Sequence, residues 1–171
     1  MSNLDQLVPD LERTRPFRSI EQAATISILR TTDAIRRRLT RAIEPFGITL
    51  QQFNVLRILR GADPDGLPTL SVAGRMVERT PGVTRLLDRL EAEDLVERVR
   101  DAEDRRRVVA RITADGKSLL QRVDDTFEVA EDSAFSELSE SEIELLVRFL
   151  GRIRVHLDLL EGSQDSSESS D

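Results

Sequence analysis

Hydrophobic positions recur at helical spacing along most of the chain. Over residues 18–44, apolar side chains stand four and seven residues apart, which predicts a long first helix that ends before Pro45. Thr49 then opens a second helix, because a hydroxyl here and an amide three residues later form a capping box. Gly61 is predicted to end this helix in the left-handed conformation, and residues 62–68 are predicted to form a loop. The buried stripe of the second helix comprises Phe53, Leu56 and Leu59.

A helix-turn-helix pattern follows this loop. A short helix is predicted over about 70–77, and Thr80 and Pro81 then form a strong start signal, an N-cap hydroxyl before a proline at the first helical position. The second helix of the pair is therefore predicted over 81–93. Its inner face comprises Val83, Leu86, Leu87 and Leu90, and its outer face comprises Gly82, Thr84, Arg85, Asp88 and Arg89. Two helices with so short a connection are typical of the helix-turn-helix, whose second helix enters the major groove of DNA.

The spacing of the hydrophobic residues changes after this helix pair. Residues 95–100 and 107–112 are short β-prone runs, and six mostly charged residues at 101–106 separate them. In the second run the inner and outer positions alternate as Val108, Ala110 and Ile112 against Arg107, Val109 and Arg111. A hairpin with consecutive arginines at its tip suits a DNA-binding wing, because a guanidinium can enter the narrow and strongly negative minor groove.

Two further helices are predicted towards the C-terminus. Thr113 is an N-cap for a helix over 114–135, whose inner face comprises Leu119, Leu120, Val123, Phe127 and Ala130. Ser139 and Glu142 form a capping box that opens the last helix. Alternating spacings of three and four then define a heptad seam of Ile143, Leu146, Leu150, Ile153, Leu157 and Leu160.

The predicted fold is therefore mainly α with a small β-hairpin wing. A winged helix-turn-helix lobe at 49–113 is flanked by helical regions at 18–48 and 114–160. Residues 1–17 are predicted to be irregular. Residues 161–171, rich in serine and acidic side chains, are predicted to be disordered because they have almost nothing to bury.

Composition removes several classes of protein. The 171-residue chain has no cysteine and one histidine, which excludes disulfides, thiolate zinc sites and paired-histidine metal sites. No run approaches the roughly 18 apolar residues of a spanning helix, and the N-terminus lacks a leader pattern, so we expect a cytoplasmic protein without membrane contact. There is no glycine-rich phosphate loop, and the carboxylates lie in solvated helical runs. We therefore expect no enzymatic activity, no cofactor and no metal.

The net charge of −7 at first argues against binding to nucleic acid, but the distribution of the charge along the chain does not. Residues 1–113 carry 20 basic and 17 acidic side chains, whereas residues 114–171 carry 5 basic and 15 acidic ones. The acidity is therefore C-terminal. Of the 25 basic residues 24 are arginine, whose planar fork suits bidentate phosphate and guanine contacts, although codon bias explains the same composition.

Four strings in order carry a family resemblance. They are TPGVTRLLDRLE at 80–91, LVER at 95–98, DRR at 104–106 and ITADG at 112–116. With this order of elements, residues 18–160 resemble the MarR-type (multiple antibiotic resistance regulator) winged-helix transcription factors. One departure is Asp94, which stands where the family usually has glycine, and aspartate tolerates a left-handed helix end.

The resemblance implies a homodimer held by the N-terminal helix and the last two helices, with two winged lobes that read a pseudo-palindromic duplex, mostly as a repressor. Asp104 would position the wing tip, and Arg106, next to Arg105, would enter the minor groove. Many members release DNA when a small, often aromatic and anionic molecule binds between the dimerisation helices and the winged lobe; the sequence does not identify such a pocket here. The implied DNA contacts are Thr80, Pro81, Gly82, Thr84, Arg85, Arg89, Arg105 and Arg106.

Each of these features also has a plainer interpretation. The wing arginines could form a solvated turn with nearby carboxylates, and Arg85 and Arg89 could pair with Asp88, Glu91 or Glu93. The heptad seam could pack within one chain, but so much apolar surface favours a dimer. The alternative function is a winged-helix protein that acts by protein contact, for instance by sequestering another regulator. The predicted dimer interface comprises Ile143, Leu146, Leu150, Ile153 and Leu157.

Overall fold

Helices dominate the computed structural model, which describes residues 17–78, 82–100 and 108–168, with side chains described up to residue 161. The helices are α1 (Ile20–Ile43), α2 (Leu50–Arg60), α3 (Thr69–Arg75), α4 (Val83–Ala92), α5 (Ala114–Ala134) and α6 (Glu140–Glu168). The strands are β1 (Leu67–Pro68), β2 (Val96–Arg100) and β3 (Val108–Ile112). This architecture confirms the predicted class, mainly α with a small antiparallel sheet. Within the described ranges, no helix is long and apolar enough to traverse a bilayer.

The first two helices begin and end where local chemistry predicts. Ser19 caps α1 by accepting the Gln22 N–H, and a 3₁₀ turn (Glu44–Phe46) follows α1 at Pro45. Both reciprocal hydrogen bonds of the α2 capping box are present. The Gln52 N–H donates to the Thr49 hydroxyl at 3.2 Å, and the Thr49 N–H donates to the Gln52 side-chain oxygen at 3.0 Å. These caps satisfy backbone groups that have no partner within the helix.

The segment after α2 departs from the prediction in two ways. Gly61 has a φ of −69°, which is right-handed, so the predicted left-handed stop is wrong. The chain continues in turns, and the positive φ occurs at Gly66 instead. The predicted loop also contains β1, since Leu67 pairs with Ala110 and Pro68 with Val109. The sheet order is therefore β1-β3-β2, with β3 in the centre.

The central position of β3 explains a wrong assignment of its faces. Val109 is buried because it is flanked by Pro68 on one neighbouring strand and Val99 on the other. Val108, predicted to face inwards, is 50% exposed because it is the first residue of β3 and pairs with Arg100 alone.

One hydrophobic core joins α2, α3, α4, the sheet and α5. Phe53 of α2 and Phe127 of α5 meet at a ring-centroid distance of 4.5 Å. The predicted inner faces of α2, α4 and α5 are all buried. Each fully buried leucine contributes about 1.5–3 kcal/mol relative to an exposed one. The side chains with almost no exposure are Ile43, Val55, Leu56, Leu59, Val72, Leu87, Leu90, Val96, Leu120 and Val123.

The chain divides into two compact units, Met1–Glu131 and Asp132–Asp171. The second unit consists mainly of α6, whose start is at the predicted capping position. The Ser139 N–H and hydroxyl donate to the Glu142 carboxylate at 2.8 and 2.6 Å. Its backbone remains helical to Glu168, which differs from the predicted disorder of 161–171. Residues 162–168 contain no proline, and their single glycine costs only about 1 kcal/mol in a helix.

Candidate nucleic-acid interface

Helix α4 begins two residues later than predicted. Its first residue is Val83 and its N-cap is Gly82, so the predicted start with Thr80 as N-cap and Pro81 as first residue is wrong. Gly82 has a φ of 101°, a conformation that glycine adopts freely and that interrupts a right-handed helix. The Gly82 carbonyl accepts the Arg85 and Leu86 N–H groups at 2.9 and 3.2 Å. Thr80 and Pro81 themselves lie outside the described residues.

The two faces of α4 divide as predicted. Its apolar side chains are buried against the core at Val83, Leu86, Leu87 and Leu90. Its polar side chains point to solvent at Thr84, Arg85, Asp88 and Arg89. A helix anchored by four buried side chains presents its outer residues on a rigid support.

Arg98 of β2 binds the acidic side chains of α4. Its Nη2 lies 2.6 Å from Asp88 Oδ1, and its Nη1 lies 3.2 Å from Glu91 Oε2. The Arg98 backbone N–H also donates to Glu91 Oε1 at 3.2 Å, and Nη2 donates to the Thr84 carbonyl at 3.2 Å. Asp88 and Glu91 were candidate partners for the arginines of α4 itself, but the structure pairs them with the neighbouring strand.

Arg85 and Arg89 of α4 have available guanidinium groups. Both side chains are exposed, and neither forms a salt bridge or side-chain hydrogen bond with another residue in the described part of the chain. A guanidinium carries five donors and a permanent charge, and nothing in the described structure uses those of these two arginines.

Val77 and Glu78, which follow α3, contact residues on α1 and α2. The Val77 N–H donates to Asn54 Oδ1 at 3.1 Å, and Arg36 Nη2 lies 2.6 Å from Glu78 Oε1. The sequence analysis did not single out Asn54 or Arg36, because their partners lie more than 20 positions away and no local pattern links them.

The base of the wing is formed as predicted. Five residue pairs, from Val96 with Ile112 to Arg100 with Val108, join β2 to β3. Asp94 adopts the left-handed conformation with a φ of 57°, and its carbonyl accepts the Thr113 hydroxyl at 2.7 Å. Thr113 Oγ1 in turn accepts the Gly116 N–H at 3.0 Å, so the predicted N-cap of α5 is confirmed. The tip predicted to carry Asp104, Arg105 and Arg106 lies outside the described residues.

Helix α6, which carries the predicted dimer-interface residues, has much exposed apolar surface. Ile153 and Leu157 are 45% and 51% exposed. Ile143, Leu146 and Leu150 are half-buried. Further exposed apolar side chains on this helix are Leu145, Val147, Phe149, Val155, Leu159 and Leu160. Among the described residues, no group of three or more His, Cys, Asp and Glu side chains is placed to hold a metal ion.

Comparison with known proteins relates the chain to one family. The MarR family model matches residues 48–108. A MarR transcription factor from Planctomyces limnophilus is 32% identical, with 80% of this chain and 98% of that chain covered and a TM-score of 0.61. MepR from S. aureus, solved in complex with DNA, is 28% identical, with 77% of this chain and 96% of that chain covered and a TM-score of 0.70.

One curated relative is an operon repressor. The homoprotocatechuate degradative operon repressor of Escherichia coli is 24% identical over 131 residues, which cover 77% of this chain and 87% of the repressor. The chain therefore belongs to the MarR family of winged-helix transcriptional regulators.

Proposed function

We propose that the protein is a sequence-specific DNA-binding regulator that places α4 in the major groove. The observation that carries the proposal is the pair of exposed guanidinium groups of Arg85 and Arg89, which have no partner among the described residues and lie on a helix whose other face is buried. An arginine at such a position binds guanine O6 and N7 bidentately or neutralises a phosphate. Gly82 and Thr84, at the start of the helix, lie where backbone and hydroxyl groups contact phosphates.

The remaining predicted DNA contacts belong to the same proposal. Thr80 and Pro81 precede the helix, and Arg105 and Arg106 follow β2 at the wing tip, with Asp104 to position them. The described hairpin supports this assignment, because its last pair joins Arg100 to Val108 and Asp104, Arg105 and Arg106 stand between these two residues in the sequence.

We propose further that the protein binds DNA as a homodimer through α6. Ile153 and Leu157 are half exposed, and together with Ile143, Leu146 and Leu150 they form the heptad seam. An exposed apolar seam at spacings of three and four is the surface that a second identical helix covers. Two identical lobes related by a two-fold axis then read a pseudo-palindromic site.

A repressor role is supported by the Escherichia coli relative, which is a degradative operon repressor. We propose that this protein likewise represses an operator and releases it on binding a small aromatic anion. A screen of phenolic and other aromatic carboxylates against the protein–operator complex tests this step. Dissociation of the labelled operator supports it, whereas retention of the complex with every compound contradicts it.

Selection from a library of random duplexes tests the DNA-binding proposal. The wild-type protein is expected to enrich an inverted repeat whose half-sites are one helical turn, about 10 base pairs, apart. Enriched duplexes should be retarded in a mobility-shift assay by nanomolar protein and released by an excess of the same unlabelled duplex. Failure to enrich any sequence contradicts the proposal and favours the alternative function, regulation by protein contact.

Arg85→Ala and Arg89→Ala provide the residue-level test. Arg122→Ala is the matched control, because Arg122 is an exposed arginine on α5 without a salt bridge to another described residue. We expect each α4 variant to weaken binding to the selected duplex while the control variant stays within about twofold of wild type, as surface substitutions usually do.

A further inference from the structure

Arg98 contacts three positions on one face of α4. Thr84, Asp88 and Glu91 follow one another at spacings of four and three residues, so they form a row that runs along the helix towards the sheet. The two terminal nitrogens of Arg98 divide between the two carboxylates, and one of them also binds the Thr84 carbonyl. One guanidinium therefore binds both acidic side chains of α4.

The position of this guanidinium is set by the sheet. Arg98 is the middle residue of β2 and pairs with Ala110 of the central strand. Its side chain is 25% exposed, compared with 53% for Asp88 and 41% for Glu91. The arginine is thus the more buried partner in both salt bridges, and screening by solvent is weaker than for a fully exposed pair.

Without Arg98, Asp88 would have a different basic partner, Arg85, on its own helix. It lies three residues after Arg85, a spacing at which opposite charges pair on a helix surface. Helix α4 contains two arginines and two carboxylates, so its side chains have no net charge by themselves. Addition of Arg98 makes the local charge +1, and Arg85 has no partner among the described residues.

We infer that Arg98 is a positioning residue for DNA recognition, which binds Asp88 and Glu91 and thereby keeps Arg85 free for DNA. The inference rests on the proposed major-groove role of α4. Arg98 acts through the carboxylates, and its own guanidinium is already occupied by them, so it requires no DNA contact of its own.

A mutant cycle with Arg98→Gln and the pair Asp88→Asn and Glu91→Gln tests this inference. Dissociation constants are measured for the duplex that wild-type protein selects. In the wild-type background, Arg98→Gln should weaken binding on the order of tenfold, the loss expected for one well-placed contact. In the background without the two carboxylates, the same change should cost no more than about twofold, because the side chains through which Arg98 acts are gone.

Control variants separate this effect from general loss of charge or fold. Arg122→Gln removes one positive charge from an exposed surface of α5 and should leave binding within about twofold of wild type. If Arg98→Gln alone fails to fold, the triple variant and the carboxylate double variant still give the second arm of the cycle.

The outcomes are distinct. Equal loss from Arg98→Gln in both backgrounds overturns the inference, since Arg98 would then contact DNA or support the fold directly. Unchanged binding by the single Arg98 variant also overturns it. If wild-type protein selects no duplex at all, the proposed function itself fails and the inference fails with it. The inference is supported if Arg98→Gln weakens binding about tenfold in the wild-type background and no more than about twofold in the background without the two carboxylates.

Discussion

Replacing Gly116 with alanine is expected to destabilise the winged lobe. Gly116 lies in the first turn of α5, directly against the residue that precedes β2. A Cβ atom at this position would be 2.3 Å from the Leu95 carbonyl oxygen and 2.8 Å from Ile112 Cγ1. The obstacle is backbone, which cannot rotate away as a flexible side chain can.

The size of the effect follows from this geometry. To reach an ordinary carbon–oxygen contact of about 3.3 Å, Leu95 or the start of α5 must move by about 1 Å. Overpacking of this kind costs about 1–3 kcal/mol. The movement also strains the 3.2 Å hydrogen bond from the Thr113 N–H to the Leu95 carbonyl, a bond worth about 0.5–1.5 kcal/mol. The better helix propensity of alanine offsets about 1 kcal/mol, which leaves a loss of about 2 kcal/mol.

Thermal unfolding at a fixed protein concentration measures this loss. For a chain of this length, about 2 kcal/mol corresponds to a decrease in Tm of about 4–8 °C. Gly74→Ala is the matched control, because Gly74 lies in α3 and a Cβ there meets nothing within 4 Å. It should raise stability by about 0.4–1 kcal/mol. A Tm for Gly116→Ala equal to or above that of wild type would refute the reasoning.

Four further outcomes are expected. Arg85→Ala should cost about 1–3 kcal/mol at particular base pairs of the selected duplex, and equal losses on selected and random DNA would contradict base reading. Leu150→Asp should give monomers in sedimentation and lose tight operator binding, whereas a monomeric wild type would contradict the dimer. Hydrogen bonds from the Ser139 hydroxyl and backbone hold the pKa of Glu142 below its ordinary value. The ionised carboxylate therefore stabilises α6 at any pH above the ordinary pKa, and this contribution is lost as the pH falls through the lowered pKa. In an NMR titration, Ser139→Ala should raise the midpoint of Glu142, and an unchanged midpoint would contradict the cause. Affinity for random duplexes should be weak, because residues 69–113 hold 10 basic and 9 acidic side chains; random DNA that competes as well as the selected duplex would contradict this.

Features that depend on near neighbours were predictable from the sequence. The capping box at Thr49 and Gln52 needs only two side chains at a fixed spacing, and it is present. The inner faces of α2, α4 and α5 follow from helical periodicity alone. Asp94, which stands where the family usually has glycine, adopts the left-handed conformation that aspartate tolerates. In each case the energetic preference acts within a few residues.

Two competing local signals account for the wrong start of α4. Thr80 and Pro81 match the preferred residues for an N-cap and first helical position, but the glycine that follows adopts a positive φ and becomes the N-cap itself. A sequence pattern ranks such signals by average preference. Which one prevails depends on how Val83 and Leu87 reach the core, and that is a tertiary property.

Contacts between distant segments were not predictable in this way. Strand β1 is two residues long and exists only because β3 pairs with it. The Arg36–Glu78 and Arg98–Asp88 salt bridges join different elements, and an arginine-rich sequence offers many equivalent pairings. The sequence therefore identified Arg85 and Arg89 as candidates but left their partners open, and the position of Arg98 in the sheet decides between those partners.

The local distribution of charge reconciles an acidic chain with the proposed DNA recognition. A net charge of −7 describes the whole sequence, whereas the proposed contacts depend on which guanidinium groups remain unpaired. On α4 both carboxylates are held by Arg98, and the guanidinium groups of Arg85 and Arg89 have no partner among the described residues. Nonspecific affinity increases with the number of phosphates neutralised, whereas base reading needs only a few donors at fixed positions. Few free cations on a rigid helix therefore favour discrimination between sequences over affinity for DNA in general.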